Sequence, residues 1–385
     1  MEISNKKNEN SSPNLLFSKT IKENQNFNTF EVFKMENKNG SSSFINGYLA
    51  IANNESKSID IYKIYPKNNS KLIQTIKVNC KNIDFIKYFY DPYLKVNYLT
   101  ALITLINDER NILIWKIIDE NKFLLISNYT DDMLNGGIIM SVKTAFFRFY
   151  NIIITKTKFI LIIYYETNIF LNRISGYLDI IYIHNKDNKE RLNFPEEVDN
   201  FRKKKVINVF QINRDTENYL GVLDIDSFTL LKILSNNFNQ NSREIFDSNY
   251  IVKINFVGKL NIGEVTDGVL IQENNNEYLF TCHKYQNKYY ILKTNIKYNQ
   301  ICYKLEININ KFNSMIPWNA NYLIFFEREG KNILLFNKRI GKIEKKLINK
   351  DKSLVNGKKI NINDNEELLF GTDGNGILNL WSNQN

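Results

Sequence analysis

A pattern that recurs along the chain limits its fold more than any other feature of the sequence. Leu368-Leu369-Phe370-Gly371-Thr372-Asp373-Gly374-Asn375-Gly376-Ile377-Leu378-Asn379-Leu380-Trp381 reads as an apolar strand, a polar turn and a second strand closing on an aromatic residue. The same pattern runs without a gap from Leu323 to Phe336, from Leu102 to Trp115 and from Leu49 to Tyr62. Each copy is one β-hairpin, which buries too little apolar surface to be stable alone, so the copies must pack on one another. Three further positions continue the series with some drift: Gly176 to Tyr182, Ser227 to Leu231 and Lys288 to Leu292. Seven units over this length predict an all-β, seven-bladed propeller with about 53 residues per unit.

The residues of Gly371 to Trp381 resemble the end of a WD40 repeat. Asn375-Gly376 stands where that family has Asp-Gly, and Trp381 stands at its tryptophan position. Asn and Gly both tolerate the positive φ that such a turn requires. Trp115 matches the tryptophan in a second unit, while Tyr62 and Phe336 replace it in two others. No Gly-His dipeptide occurs, so the buried polar network that braces a typical blade of the family has no histidine here. A compact WD40 blade takes roughly 40 to 45 residues, so the longer units here must carry insertions. The spacing places these in the loops of the third and fifth units, notably Asn185 to Lys205 and Ser235 to Tyr250.

Ring closure provides a separate expectation. The last unit ends near Trp381 without an outer strand, while Leu15 to Ile21 reads as an isolated strand ahead of Phe30 to Met35. If Leu15 to Ile21 completes the last sheet, no unpaired edge remains there. The competing reading is a flexible tail. Residues 1 to 12 are polar and read as a disordered tail, which leaves 13 to 385 as one propeller domain.

Composition fits a chain of strands. There are only 5 Pro, aromatic residues reach 13%, and the apolar runs are rich in β-branched residues. No run is long enough for a membrane-spanning helix. Cys80, Cys282 and Cys302 are odd in number and lack metal-ligand or redox spacing; together with the absence of a secretory leader they imply an intracellular protein, cytoplasmic or nuclear.

The inventory is poor in catalytic chemistry. His184 and His283 are the only histidines, and His283 adjoins Cys282 on a strand, so the two side chains point to opposite faces. Asp131-Asp132, Glu196-Glu197 and Glu366-Glu367 read as surface charge, and Gly136-Gly137 lacks the Lys-Ser/Thr of a phosphate loop. No catalytic residue, metal ligand or cofactor site is therefore assigned, and no enzyme activity is expected. The formal charge is +10, from 51 basic and 41 acidic side chains. The candidate contacts for a partner or a phosphate are Arg202, Lys203, Lys204 and Lys205, together with Lys338, Arg339, Lys342, Lys345 and Lys346. The resemblance implies a scaffold or adaptor that binds other protein subunits of a larger complex. The alternative is a propeller that binds RNA or DNA through those basic clusters.

Overall fold

The computed structural model describes residues 15–22, 29–35, 47–65, 69–91, 94–129, 146–154, 160–170, 173–183, 189–191, 205–214, 217–236, 251–273, 276–309, 311–319, 321–327, 332–348, 354, 356–361, 367–372 and 378–383. Every regular element among them is a β-strand.

The strands form four-stranded antiparallel sheets in chain order. The first sheet holds β2 (Phe30–Phe33), β3 (Gly47–Asn53), β4 (Ser58–Tyr65) and β5 (Asn69–Lys77). The second holds β6 (Asn82–Asp91), β7 (Val96–Thr104), β8 (Arg110–Asp119) and β9 (Lys122–Tyr129). The third holds β10 (Phe146–Ile154), β11 (Ile160–Phe170), β12 (Arg173–Ile183) and β13 (Lys189–Arg191), and is described by its backbone pairing alone. The fourth holds β14 (Val206–Arg214), β15 (Glu217–Asp224), β16 (Ser227–Asn236) and β17 (Ile251–Asn261). The fifth holds β18 (Val265–Glu273), β19 (Asn276–Tyr285), β20 (Lys288–Asn295) and β21 (Gln300–Ile307). The sixth holds β22 (Phe312–Pro317), β23 (Tyr322–Glu327), β24 (Asn332–Asn337) and β25 (Lys342–Ile348). The last is built from β26 (Asn356–Asn361), β27 (Glu367–Thr372) and β28 (Leu378–Asn383), with β1 (Leu15–Lys22) as its fourth strand.

The first strand of each sheet contacts the first strand of the next, and β26 contacts β2, so the inner strands make a closed circuit. This is a β-propeller, as the hairpin repeats predict. The expected closing strand is present: β1 runs antiparallel to β28, with Leu16 opposite Ser382 and Phe17 opposite Trp381. Residues 1–12 and the Asn375-Gly376 turn lie outside the described residues.

The apolar residues of the hairpins meet between sheets, and each seam with described side chains has its own cluster. Phe33, Tyr48, Ala50, Ile59 and Ile61 of the first sheet meet Ile83, Ile86, Leu99, Ala101 and Trp115 of the second. Phe280, Cys282 and Ile291 of the fifth sheet meet Phe312, Met315, Leu323 and Phe325 of the sixth. Trp318, Ile324, Phe326 and Leu335 meet Leu369 and Trp381, and Leu368, Phe370 and Leu380 meet Phe30, Leu49 and Ile51 across the closing seam. Burial of one such side chain contributes about 1.5–3 kcal/mol, so seam packing dominates the stability of the ring. Two seams close on a glycine. A Cβ on Gly268 of β18 would lie 2.4 Å from Leu223 Cδ2, and one on Gly357 of β26 would lie 2.3 Å from Phe326 Cζ. In each case the side chain comes from the second strand of the preceding sheet and occupies the missing Cβ's space.

A bulge recurs in five outer strands. The register slips at Ile73, Ile126, Val257, Cys302 and Glu344, each left without an opposite partner. Bulges increase local twist and blunt a sheet edge against further pairing, which suits the rim of a ring.

One insertion is placed differently from its expected unit. The segment Ser235 to Tyr250 begins at the end of β16, and β17 starts at Ile251, so it belongs to the fourth sheet, between its third and fourth strands, and not to the fifth. Spacing between equivalent strands reveals that residues are inserted but not on which side of the outer strand they fall. The segment Asn185 to Lys205 contains β13, and residues 185–188 and 192–204 lie outside the described residues.

Candidate functional site

A cavity of about 610 Å³ opens among the inner strands of the fourth, fifth and sixth sheets. Its apolar lining includes Ile207, Phe210, Leu270 and Ile316, and its polar lining includes Asn208, Thr266, Asp267 and Asn313. The polar residues owe their position to another repeated bulge, near the start of each inner strand. The register skips Ile207 in β14, Thr266 in β18 and Asn313 in β22. The residue after each skip is Asn208, Asp267 or Ser314, and the first two reach to the next sheet. Asn208 Nδ2 donates to the carbonyl of Gly268 at 3.4 Å, while Met315 N–H donates to Asp267 Oδ2 at 2.8 Å. Each also accepts a bond from the following backbone amide, Val209 N–H at 2.9 Å and Gly268 N–H at 2.8 Å. Asn313 Nδ2 continues the series with a bond to the carbonyl of Leu354 at 2.9 Å.

Asp267 is the acid among the residues lining this cavity. Withdrawal from water pushes its carboxyl up to about 7, and the two backbone amides oppose that rise only in part. The lining therefore combines apolar side chains, amide and hydroxyl groups, and one acid whose carboxyl is pushed up to about 7.

Across the circuit the inner strands are joined by charge. Lys358 of β26 lies 2.7 Å from Glu31 Oε2 of β2, and Lys87 of β6 lies 4.0 Å from the same oxygen. Burial pushes the Lys358 ammonium down to about 8 despite the Glu31 carboxylate.

The sequence-derived contacts that are described take different settings. Arg202, Lys203 and Lys204 lie outside the described residues, whereas Lys205 is exposed at the edge of the inner-strand cavity. Lys338 is only 3% exposed and its Nζ sits 2.5 Å from Glu273 Oε1, so it is a buried ion-pair partner and not a surface cation. Arg339, Lys342 and Lys346 are exposed, and Lys345 is half-buried. The sequence offers no warning about Lys338, because its counter-ion lies on another sheet.

Cys282 is fully buried, as its apolar strand context implies, and burial raises its thiol. Cys80 is buried between β5 and β6, outside any strand, and Cys302 is exposed at its bulge on β21. Neither shares the buried strand setting of Cys282. His283 shares a face with Thr281, whose Oγ1 lies 2.7 Å from its Nε2, and burial lowers its basicity. His184, Gly136, Gly137, Asp131, Asp132, Glu196, Glu197 and Glu366 lie outside the described residues. Among the described residues no group of three His, Cys, Asp or Glu side chains is placed to hold a metal ion, and no helix is long and apolar enough to cross a membrane.

The inner-strand residues Asn208, Thr266, Asp267 and Asn313 escape sequence reasoning about charge clusters. The available signal is a polar residue inside an apolar strand, as in Val265-Thr266-Asp267-Gly268-Val269.

Comparison with known proteins agrees on architecture. No family model matches the sequence, and no curated protein matches it. Among solved structures, the crystal structure of Saccharomyces cerevisiae Sqt1, a WD40 propeller protein, superposes with a TM-score of 0.55 over 97% of this chain and 100% of that one, at 7% identity. At that identity the likeness concerns the fold. The chain is a β-propeller whose fold is similar to that of a WD40 propeller protein.

Proposed function

We propose that the protein is a noncatalytic scaffold or adaptor that binds other protein subunits, and that the cavity among β14, β18 and β22 receives a segment of a partner. Folds of the WD40 type typically serve as protein-interaction scaffolds. The observation that carries the reading to a place is the lining of this cavity. Half-buried Ile207, Phe210, Leu270 and Ile316 offer apolar contact, while the oxygens of Asn208, Thr266, Asp267 and Asn313 have acceptor lone pairs beyond the bonds they make between strands. Such a mixture fits an extended peptide, whose side chains bury apolar area and whose amides need partners.

The test is affinity purification of the tagged full chain with mass spectrometry, comparing wild type with Thr266→Arg and Lys205→Glu. Both positions are exposed at the cavity, so these changes alter its mouth; Thr266→Arg also removes the hydrogen bond from Oγ1 to the Cys282 carbonyl, a loss that the unfolding temperature reads. Loss of the same set of proteins from both variants, with unfolding temperatures unchanged, supports the reading. Recovery of the full set with both variants refutes the assignment to this cavity. Nuclease-sensitive recovery would favour the nucleic-acid alternative.

A further inference from the structure

The strands β18 and β22 border a second cavity at their other ends, of about 510 Å³, lined by residues that include Glu273, Lys293, Trp318, Lys338 and Arg339. Three of these side chains are cationic and one is anionic. Lys338 and Glu273 neutralise each other at 2.5 Å. Lys293 is held by ring faces, its Nζ lying 4.0 Å from the centroid of Tyr278 and 5.4 Å from that of Phe280. Among the described residues Lys293 meets no carboxylate within ion-pair distance, and neither does Arg339, which is exposed at the mouth. The cavity thus has two cations in excess.

A second observation is independent of charge. Trp318 is 2% exposed, yet its indole Nε1 has no hydrogen-bond partner. A buried donor left unpaired costs about 1–3 kcal/mol, and tryptophan N–H groups ordinarily find a partner when buried. The other polar contacts of this residue are made by its backbone and by Lys359, whose ammonium stacks 4.7 Å from the ring and also pairs with Glu367 at 3.0 Å. An unpaired donor on a residue that lines a cavity with uncompensated cations suits an acceptor that carries negative charge.

We propose that this cavity binds a carboxylate of an acidic peptide segment, with Arg339 and Lys293 supplying the charge and Trp318 Nε1 a hydrogen bond. A carboxylate fits better than a phosphate. It is planar, which suits the guanidinium fork of Arg339. It also carries a single charge, which limits repulsion from Glu273, already present in the same lining. The site is distinct from the inner-strand cavity, and the proposal does not depend on what that cavity holds.

The experiment is fluorescence anisotropy of the full chain with a labelled peptide of alternating Asp and Gly, against the same peptide with Asn for Asp. The acidic peptide should bind and the neutral one should not. Arg339→Gln and Lys293→Gln should each weaken binding about tenfold, the scale of one hydrogen bond to a charged group. Trp318→Phe removes the donor together with half of the indole, so it should weaken binding several-fold and, at this buried position, also lower the unfolding temperature. Arg339 is exposed, so its variant tests the site even if the buried positions perturb folding. Equal binding of both peptides, or unchanged affinity in Arg339→Gln, overturns the proposal. So does stronger competition by inorganic phosphate or a single-stranded oligonucleotide than by unlabelled acidic peptide. Loss of partners through the inner-strand variants with peptide binding intact would leave this proposal standing.

Discussion

Two arcs of the inner circuit hold their strands together by different means. Where the fourth, fifth and sixth sheets meet, Asn208 and Asp267 exchange hydrogen bonds with the backbone of the next inner strand. Where the last sheet meets the first and second, Lys358, Glu31 and Lys87 share charge. A hydrogen bond to a backbone amide demands about 2.9 Å and good alignment, so it suits strands whose register is fixed by continuous chain. Charge attraction declines slowly with distance and has little angular demand. It suits the arc where the ring closes through β1, a strand far from its neighbours in sequence. The stapled arc should therefore respond to geometry and the charged arc to loss of a counter-ion.

The largest effect should come from attacking closure itself. Deleting residues 1–25 removes β1 and leaves β28 as an open edge, which should lower stability by several kcal/mol, about the scale of losing two or three buried apolar side chains. Thermal unfolding followed by circular dichroism reads the change, and an unaltered midpoint would show that the ring does not need its fourth strand there. Next, Glu31→Gln leaves the Lys358 ammonium desolvated without its counter-charge and should cost about 3 kcal/mol. Denaturant titration measures this, and a cost below about 1 kcal/mol would remove the distinction between the arcs. On the stapled arc, Gly268→Ala should cost about 1–3 kcal/mol, because the new methyl meets Leu223 at the seam. A neutral result would mean that this seam gives way as easily as the charged one.

Asp267 sharpens the comparison through pH. Its carboxyl titrates near 7 in the folded chain and near 3.9 when unfolded. Between about pH 4 and 7 the native state binds more protons than the unfolded state, so this group makes stability fall as pH rises through that window. Asp267→Asn should remove that slope, as read from unfolding free energies across the range. A parallel slope in the variant would place the titration elsewhere. The smallest effect should be that of Lys87→Gln, less than about 1 kcal/mol, because that ammonium is 4.0 Å from Glu31 and partly solvated.

The ring is legible in sequence because it rests on short-range pattern. Apolar alternation and turn residues mark the hairpins at Leu49 to Tyr62 and Leu368 to Trp381, and these become β3–β4 and β27–β28. Closure by Leu15 to Ile21 is also legible, from the missing strand and the presence of a candidate to fill it. What escapes is long-range pairing of polar groups. Lys338 looks like one cation in a basic run, and only the fold brings Glu273 beside it. Asp267 and Asn208 gain their roles from a bulge that turns each toward the neighbouring sheet, and bulges leave little trace in composition. Trp318 sits outside the hairpin repeat, so nothing in its spacing marks it as the lining of a cavity.

The pairing of Phe17 with Trp381 also sets an order of events during synthesis. β1 leaves the ribosome well before its partner β28, because most of the ring is encoded between them. At about 5–20 residues per second, the first strand waits on the order of tens of seconds before its hydrogen-bonding edge can be occupied. Until then the nascent chain displays both an unpaired strand and an unfinished ring. A chaperone that shelters extended segments has its natural opening in that interval, and a stalled or truncated chain would remain in it.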